Sequence, residues 1–219
     1  MRVGMGVTAY TGLWASGKTL AMAEECLRLQ AQGVAIATNF GFLTQDYSLE
    51  TLDDWLLLIA GQLSVPVADR PRIHFAIDEI GMLFNAREYA SWPPALNVVF
   101  FQGRKFKVSL SYTVQDFALV DANIRRVTAR VVKCRGHGRK RISAPGEPPE
   151  YRPVVFSRAS YLADEVHRAK ARRLGLSVHR LQAETANSYD TYALVSTAQA
   201  VLTAQVASIG SRSSVIVNL

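Results

Sequence analysis

Eight residues near the start of the chain have the types and spacing of a phosphate-binding loop. Residues 12–19 read GLWASGKT, which matches G-x-x-x-x-G-K-[ST] at every fixed position. In such a loop, backbone N–H groups bind phosphates, the lysine reaches the β and γ oxygens, and the final hydroxyl ligates Mg²⁺. The pattern predicts a nucleoside triphosphate site formed by Gly12, Ala15, Ser16, Gly17, Lys18, Thr19 and Leu20.

The segments beside this loop have the patterns that such a site requires. Residues 3–10 form a short, mainly apolar run that favours a strand, and residues 20–32 are good helix formers. Strand, loop and helix therefore follow one another in the required order. The helix N-terminus adds its positive dipole to the anion site.

A second motif supplies two adjacent carboxylates after an apolar run. Residues 73–77 read IHFAI, and Asp78 and Glu79 follow directly. This is the pattern of a Walker B strand, in which Asp78 helps to hold Mg²⁺ beside Thr19. Glu79 occupies the position of a carboxylate that polarises the attacking water. Two adjacent acids favour hydrolysis over simple transfer of phosphate to a small molecule.

A third segment, residues 103–115, combines a basic helix end, a strand over residues 107–113 and a polar tip. Gln115 could sense the γ-phosphate or orient the water, because an amide both donates and accepts hydrogen bonds. Arg104 precedes the strand and is better placed to reach a neighbouring subunit's nucleotide as an arginine finger. The simpler alternatives are a turn residue for Gln115 and a surface cation for Arg104.

The positive charge of the chain is concentrated in its second half. The net charge is +7, but residues 1–120 carry 9 Lys/Arg against 11 Asp/Glu, whereas residues 121–219 carry 16 against 7. Such density suits contacts with DNA phosphates, while the shortage of aromatic residues argues against stacking on single-stranded bases. A solvated basic face is the alternative. The candidate DNA contacts are Arg125, Arg126, Arg135, Arg139, Lys140 and Arg141.

Other elements complete an α/β pattern. Residues 33–40 predict a second strand, and residues 46–62 contain a helical repeat of leucine and isoleucine with Ser48 as its N-cap. A helix is expected from Trp92 to about Lys105, and a fifth strand over residues 127–133. Strands that alternate with helices predict a mainly parallel sheet.

The C-terminal part is expected to be an appendage of the same domain. Residues 135–152 are rich in Gly, Pro and Arg and predict a loop or hairpin tip rather than a packed element. Residues 152–156 would form the returning strand, and residues 161–174 a short basic helix. We therefore divide the chain into a P-loop core (1–135) and a basic hairpin with helix and arm (136–219).

Residues 191–211 form a charge-free stretch long enough to span a bilayer. Its many Ser, Thr and Gln side chains make it a poor membrane segment, so a C-terminal helix or arm is expected. Cys26 and Cys134 form no disulfide framework, and Met1 leads straight into the first strand without a signal peptide. These features predict a cytoplasmic protein.

The phosphate loop, IHFAIDE (residues 73–79) and GRKFKVSLSYTVQDF (residues 103–117) together resemble the FtsK–HerA superfamily of DNA-pumping and virus-assembly ATPases. Two viral branches are most similar: zonular-occludens-toxin-like phage assembly ATPases, and genome-packaging ATPases of tailless viruses with an internal membrane. The resemblance implies a RecA-like core, a ring that usually has six subunits, and the roles given to Arg104 and Gln115. The family commonly has Thr-Gln adjacent at this strand end, whereas this chain has Thr113-Val114-Gln115, so both Thr113 and Gln115 are candidates for the phosphate sensor.

The function expected from these signals is an ATP- and Mg²⁺-dependent ring motor that moves double-stranded DNA into a preformed capsid. Its expected location is the host cytoplasm or the virion, with the capsid or its membrane vertex as partner. A filamentous-phage assembly ATPase, a small-molecule P-loop kinase and a nucleotide-gated scaffold are the alternatives. A GTPase is disfavoured because the chain contains no N-K-x-D motif.

Overall fold

A computed structural model describes residues 6–83, 101–141, 151–164, 171–181, 185, 187 and 188. Its strands are β1 (Val7–Thr11), β2 (Ala35–Thr38), β3 (Tyr47–Ser48), β4 (Ile73–Ile77), β5 (Val108–Val114), β6 (Thr128–Arg141), β7 (Tyr151–Leu162) and β8 (Arg173–Arg180). Its α-helices are α1 (Lys18–Gln30), α2 (Leu52–Leu63), α3 (Ile80–Leu83), α4 (Gly103–Phe106) and α5 (Ala122–Val127). A 3₁₀ turn covers Phe117–Leu119.

The described strands form one sheet in the order β3-β2-β4-β5-β1-β6-β7-β8. Pairing is parallel from β3 to β6, and β6–β7 and β7–β8 are antiparallel. The predicted α/β architecture with a mainly parallel core is therefore confirmed. Because parallel strands end at the same edge, the carboxyl ends of β1, β2, β4 and β5 lie side by side there.

Both faces of the central sheet are covered by apolar side chains. One cluster contains Met22, Cys26 and Ile36 on the face where α1 packs, and another contains Trp55 and Phe75 on the opposite face. Trp55 stacks on Phe75 with 5.2 Å between ring centroids. All five residues of β1 and all five of β4 are buried, as expected for parallel strands covered on both faces.

The two long helices begin close to their predicted positions, but one predicted cap is wrong. Helix α1 begins at Lys18, two residues earlier than expected, because the phosphate loop leads directly into it. Helix α2 is capped by Thr51, whose hydroxyl accepts a hydrogen bond from the Asp54 N–H at 3.3 Å. Ser48 is not the cap, because it pairs with Thr38 as part of β3.

The predicted basic hairpin is confirmed, but the prediction that residues 135–152 are only its loop or tip and not a packed element is wrong where the structure describes them. Strand β6 continues to Arg141, opposite Tyr151 at the start of β7. Gly136 and Gly138 indicated a break in the strand, but this part of β6 pairs with β7. The tertiary pairing overrides the local signal. The basic hairpin is therefore formed by the long paired strands β6 and β7, and residues 142–150 lie outside the described residues.

The predicted basic helix over residues 161–174 is wrong at both of its described ends, and its middle, residues 165–170, lies outside the described residues. Tyr161 belongs to β7, and Arg173 and Leu174 begin β8, a strand that was not predicted. Two predictions fall largely on residues that the structure does not describe: most of the helix from Trp92 to about Lys105, and the arm over residues 191–211. Among the described helices, none has the length and apolar character needed to cross a membrane.

Candidate functional site

The phosphate loop connects β1 to α1 at the carboxyl edge of the sheet. Two of its glycines are required by conformation and by space, since Gly12 has φ +149° and Gly17 has φ +82°. A Cβ on Gly12 would lie 2.5 Å from the Cys134 carbonyl oxygen, and one on Gly17 would meet the Phe156 ring. Strands β6 and β7 therefore press against the loop and fix its path.

Lys18 lies inside this loop with only 8 % of its side chain exposed. Its ammonium donates to the Leu13 carbonyl oxygen at 3.3 Å and lies 3.8 Å from a Glu79 carboxylate oxygen. The lysine predicted to bind phosphate and the carboxylate predicted to activate water therefore face each other across one small space. The two residues are 61 positions apart in the sequence, and the fold brings them together.

Thr19 and Asp78 meet as the two motifs require. The Thr19 hydroxyl donates to the Asp78 carboxylate at 2.9 Å, and the Thr113 hydroxyl donates to the same oxygen at 2.6 Å. Hydroxyl and carboxylate oxygens are the hard ligands that Mg²⁺ prefers, usually alongside water and substrate phosphates. The donor set of Thr19 and Asp78 therefore fits a magnesium ion.

Burial sets the protonation behaviour of both acids. Loss of solvent raises the pKa of Asp78, while the hydrogen bonds from Thr113 and Thr19 and the charge of Lys18 oppose that change. Burial likewise raises the pKa of Glu79, with Lys18 lowering it and Asp78 raising it further. A carboxylate with a raised pKa is a stronger base, which suits the role predicted for Glu79.

Two residues at neighbouring strand ends contact the main chain of the acidic pair. Asn39 donates from its amide to the Asp78 carbonyl oxygen at 3.1 Å and accepts from the Asp78 N–H at 2.8 Å. Thr113 accepts from the Glu79 N–H at 2.8 Å. Sequence reasoning missed Asn39, because the strand predicted over residues 33–40 included it and the sequence does not show that β2 lies next to β4.

Gln115 lies beside the phosphate loop, as expected. Its carbonyl oxygen accepts a hydrogen bond from the Gly12 N–H at 3.2 Å, and its side chain is exposed. Together with Trp14 and Arg135 it lines a cavity of about 550 Å³ next to the loop. Thr113 instead lies buried against Asp78, so the two candidate phosphate sensors occupy different environments.

Arg104 lies at the other end of the sheet from the phosphate loop. It belongs to α4, which precedes β5, and β5 runs parallel to β1 toward the loop. The seven residues of β5 separate the two regions by roughly 20 Å. Arg104 is thus remote from the phosphate loop of the same chain, and its role at a neighbour's site stays a prediction.

The six candidate DNA contacts do not form one patch. Arg125 and Arg126 lie on α5, at the amino end of β6, whereas Arg135, Arg139, Lys140 and Arg141 lie along its carboxyl half. Roughly 20 Å of strand separates the two groups. Arg135 is exposed just beyond the phosphate loop, so the hairpin group is the one that continues past the nucleotide site.

The fold is shared with solved structures of other proteins. The N-terminal domain of zonular occludens toxin from Neisseria meningitidis matches with a TM-score of 0.53 and 15% identity, covering 85% of this chain and 100% of that one. The genome packaging NTPase B204 from Sulfolobus turreted icosahedral virus 2, in complex with ATP-gammaS, matches with a TM-score of 0.51 and 13% identity over 83% of this chain and 100% of that one. No protein-family model and no curated protein matches the chain. The predicted RecA-like α/β fold is therefore confirmed, and the similarity to these two proteins is one of fold.

Proposed function

We propose that this chain hydrolyses ATP and uses the energy to move double-stranded DNA into a preformed virus particle, working as a ring. The observation that carries the proposal is the convergence of both nucleotide motifs at one edge of the sheet. Thr19 lies 2.9 Å from Asp78, and Lys18 lies 3.8 Å from Glu79. These pairs are the parts that phosphoryl transfer to water requires.

The residues have distinct roles in the proposed reaction. Lys18 and the loop N–H groups hold the β- and γ-phosphates and offset the charge that develops during transfer. Glu79 accepts a proton from a water molecule while the water oxygen attacks the γ-phosphorus. The bond to the β-phosphate oxygen breaks, and the products are ADP and inorganic phosphate. A magnesium ion held by Thr19 and Asp78 would neutralise phosphate charge. Arg104 of a neighbouring subunit would stabilise the transition state, and Gln115 would sense the γ-phosphate.

The hairpin provides the proposed DNA contact. Its basic residues follow one another along β6 beyond the phosphate loop, so a movement of that loop can reach them through the strand. Cys134 of β6 touches Gly12, and Phe156 of β7 packs against Gly17. Phosphate contacts by arginine and lysine carry no sequence preference, which suits a motor that must move along any sequence.

A second candidate function is a phage assembly ATPase of the zonular-occludens-toxin-like kind. The match to the N-terminal domain of that toxin, with a TM-score of 0.53, supports it as well as the packaging match supports the motor. Both candidates share the ATP site described above, and they differ in whether DNA stimulates hydrolysis.

Release of inorganic phosphate tests the proposal directly. The rate is measured with duplex DNA, with single-stranded DNA of the same sequence, and without DNA, and Glu79→Gln protein serves as the control for contaminating activity. The motor requires the highest rate with duplex DNA and a multi-subunit species in sedimentation. Hydrolysis that neither DNA changes would contradict the motor and favour the assembly ATPase. Transfer of phosphate to a small molecule without release would favour a kinase.

A further inference from the structure

The side chain of Asn39 forms two hydrogen bonds with the main chain of a single residue of the acidic motif. The residue is buried, with an exposed fraction of 4 %. Its amide group donates to the carbonyl oxygen of Asp78 and its carbonyl oxygen accepts from the N–H of Asp78. An amide can do both at once, through its nitrogen and its oxygen, whereas an ionised carboxylate can only accept.

The residue that follows this contact has a strained backbone. Glu79 has φ +48°, in the left-handed region that L-residues other than glycine, asparagine and aspartate rarely adopt. Strained positions of this kind persist where the surrounding structure holds them, and they cluster at functional sites. Here the Thr113 hydroxyl accepts from the Glu79 N–H at 2.8 Å. The turn after β4 is therefore hydrogen-bonded on one side by Asn39, which follows β2, and on the other side by Thr113 of β5.

The consequence of this conformation is the direction of one side chain. The Glu79 carboxylate lies 3.8 Å from Lys18, while the Asp78 carboxylate of the preceding residue reaches Thr19. In an ordinary extended continuation of β4, consecutive side chains point to opposite faces. The left-handed turn thus allows two adjacent acids to serve the same phosphate site.

We propose that Asn39 is a positioning residue that holds the Asp78–Glu79 turn in its left-handed form and so aims the Glu79 carboxylate at the nucleotide. It acts through the Asp78 main chain and not by contact with substrate. The inference rests on the proposed ATP hydrolysis at this site, and it adds a residue that the two nucleotide motifs do not contain.

The first test compares Asn39→Ala with Thr38→Val. Thr38 is the matched control, because it is buried at the same strand end but its hydroxyl bonds Phe40 and Gln45 instead of the acidic turn. Asn39→Ala should lower kcat by about 10- to 100-fold with KM for ATP within about threefold, as expected when positioning of a base is lost. Thr38→Val should change kcat by less than about twofold.

A double-mutant cycle separates positioning from general damage. If Asn39 acts through Glu79, Asn39→Ala should have little further effect on the residual rate of the Glu79→Gln protein, because the base is already absent. An equal fold-loss in both backgrounds, or an unchanged kcat in Asn39→Ala alone, would overturn the inference.

Amide hydrogen exchange in the ligand-free protein tests the same turn without relying on hydrolysis. Asn39→Ala should speed exchange at the Asp78 N–H by about tenfold or more, because local opening then breaks one fewer hydrogen bond. Thr38→Val should leave it unchanged. Wild-type protein without ATPase activity would refute the proposed function. Unchanged exchange in Asn39→Ala would refute the positioning role of Asn39.

Discussion

At the carboxyl ends of β1, β4 and β5, polar side chains bond one another within a partly buried space, while the part of β6 just beyond the phosphate loop exposes its basic side chains. Thr19, Asp78 and Thr113 are linked by hydrogen bonds of 2.6 and 2.9 Å around a single carboxylate oxygen. On the hairpin, Arg135 and His137 are exposed beyond the last residue of β1.

The difference reflects what each region is proposed to do. Stabilising charge that develops on a transferring phosphoryl group requires donors fixed in place before the reaction, in an environment with little water. Holding a DNA backbone requires positive charge within reach of phosphates, and its strength depends on counterion release more than on exact geometry. Small changes should therefore be severe in the first region and graded in the second.

The largest effect is expected from Lys18→Ala. Removing the buried ammonium from the loop should weaken nucleotide binding and lower hydrolysis by about 10²- to 10³-fold, because the charge acts in both the bound and the transition state. Titration with a fluorescent ATP analogue and phosphate release would measure the two effects. Lys105→Ala, an exposed lysine on α4, is the control. Normal binding by the Lys18→Ala protein would mean that the loop does not hold the phosphates.

Glu79→Gln should separate binding from chemistry. The substitution keeps the size of the side chain but removes the base, so ATP binding should persist while kcat falls by about 10²-fold or more. Single-turnover hydrolysis with excess enzyme checks this. A normal rate would remove Glu79 from the catalytic role and leave the acidic pair as a metal site alone.

The pH dependence of the same two proteins sharpens this assignment. Burial raises the pKa of Glu79, and a general base works only when it is deprotonated. Wild-type hydrolysis should therefore fall as the pH drops through that raised pKa, at a higher pH than an ordinary glutamate would give. The residual activity of Glu79→Gln should lack this acid limb.

Substitution of Arg104 tests whether the phosphate site is complete within one subunit. Because the residue lies at the far end of the sheet, Arg104→Ala should lower hydrolysis by about tenfold or more while leaving its own loop intact. Mixing Arg104→Ala with Glu79→Gln subunits should then restore part of the rate, since some interfaces pair an intact arginine with an intact site. The absence of any recovery, in mixtures shown to contain both subunits, would reduce Arg104 to a surface cation.

The smallest and most graded effect is expected on the hairpin. Replacing Arg135, Arg139, Lys140 and Arg141 together by alanine should reduce the slope of log binding constant against log salt concentration for duplex DNA. The reduction should be up to about 3.6, at roughly 0.9 per lost phosphate contact. Basal hydrolysis should survive, whereas stimulation by DNA should be lost. Binding is measured across a salt series.

The matched comparison is Arg125→Ala with Arg126→Ala, on α5 at the opposite end of β6. If only the hairpin contacts the DNA, substitution of Arg125 and Arg126 should leave the salt slope unchanged. A larger change for the α5 pair than for the four hairpin residues would move the DNA path to the amino end of the sheet. An unchanged slope in both would leave a solvated basic face.

Much of the fold could be predicted because short-range signals and sheet topology agreed in the central region. Residues 73–77 form a strand at the predicted bounds, and α1 begins only two residues from the expected start. The hairpin shows the opposite case, because glycines and prolines indicated a loop while cross-strand pairing produced a strand through Arg141. Strand β8 was missed because its alternating Leu174, Leu176 and Val178 fall partly within a segment whose charges suggested a helix.

The sequence by itself determined the phosphate loop, the acidic pair and the class of fold, because each depends on residue types at fixed short spacing. Only the tertiary structure placed Asn39 and Thr113 against the acidic turn, set Arg104 at the far end of the sheet, and divided the basic residues between two ends of β6. The physical reason is that parallel strands bring together residues that are distant in sequence. Which of them meet depends on strand order and register, and short-range patterns carry neither.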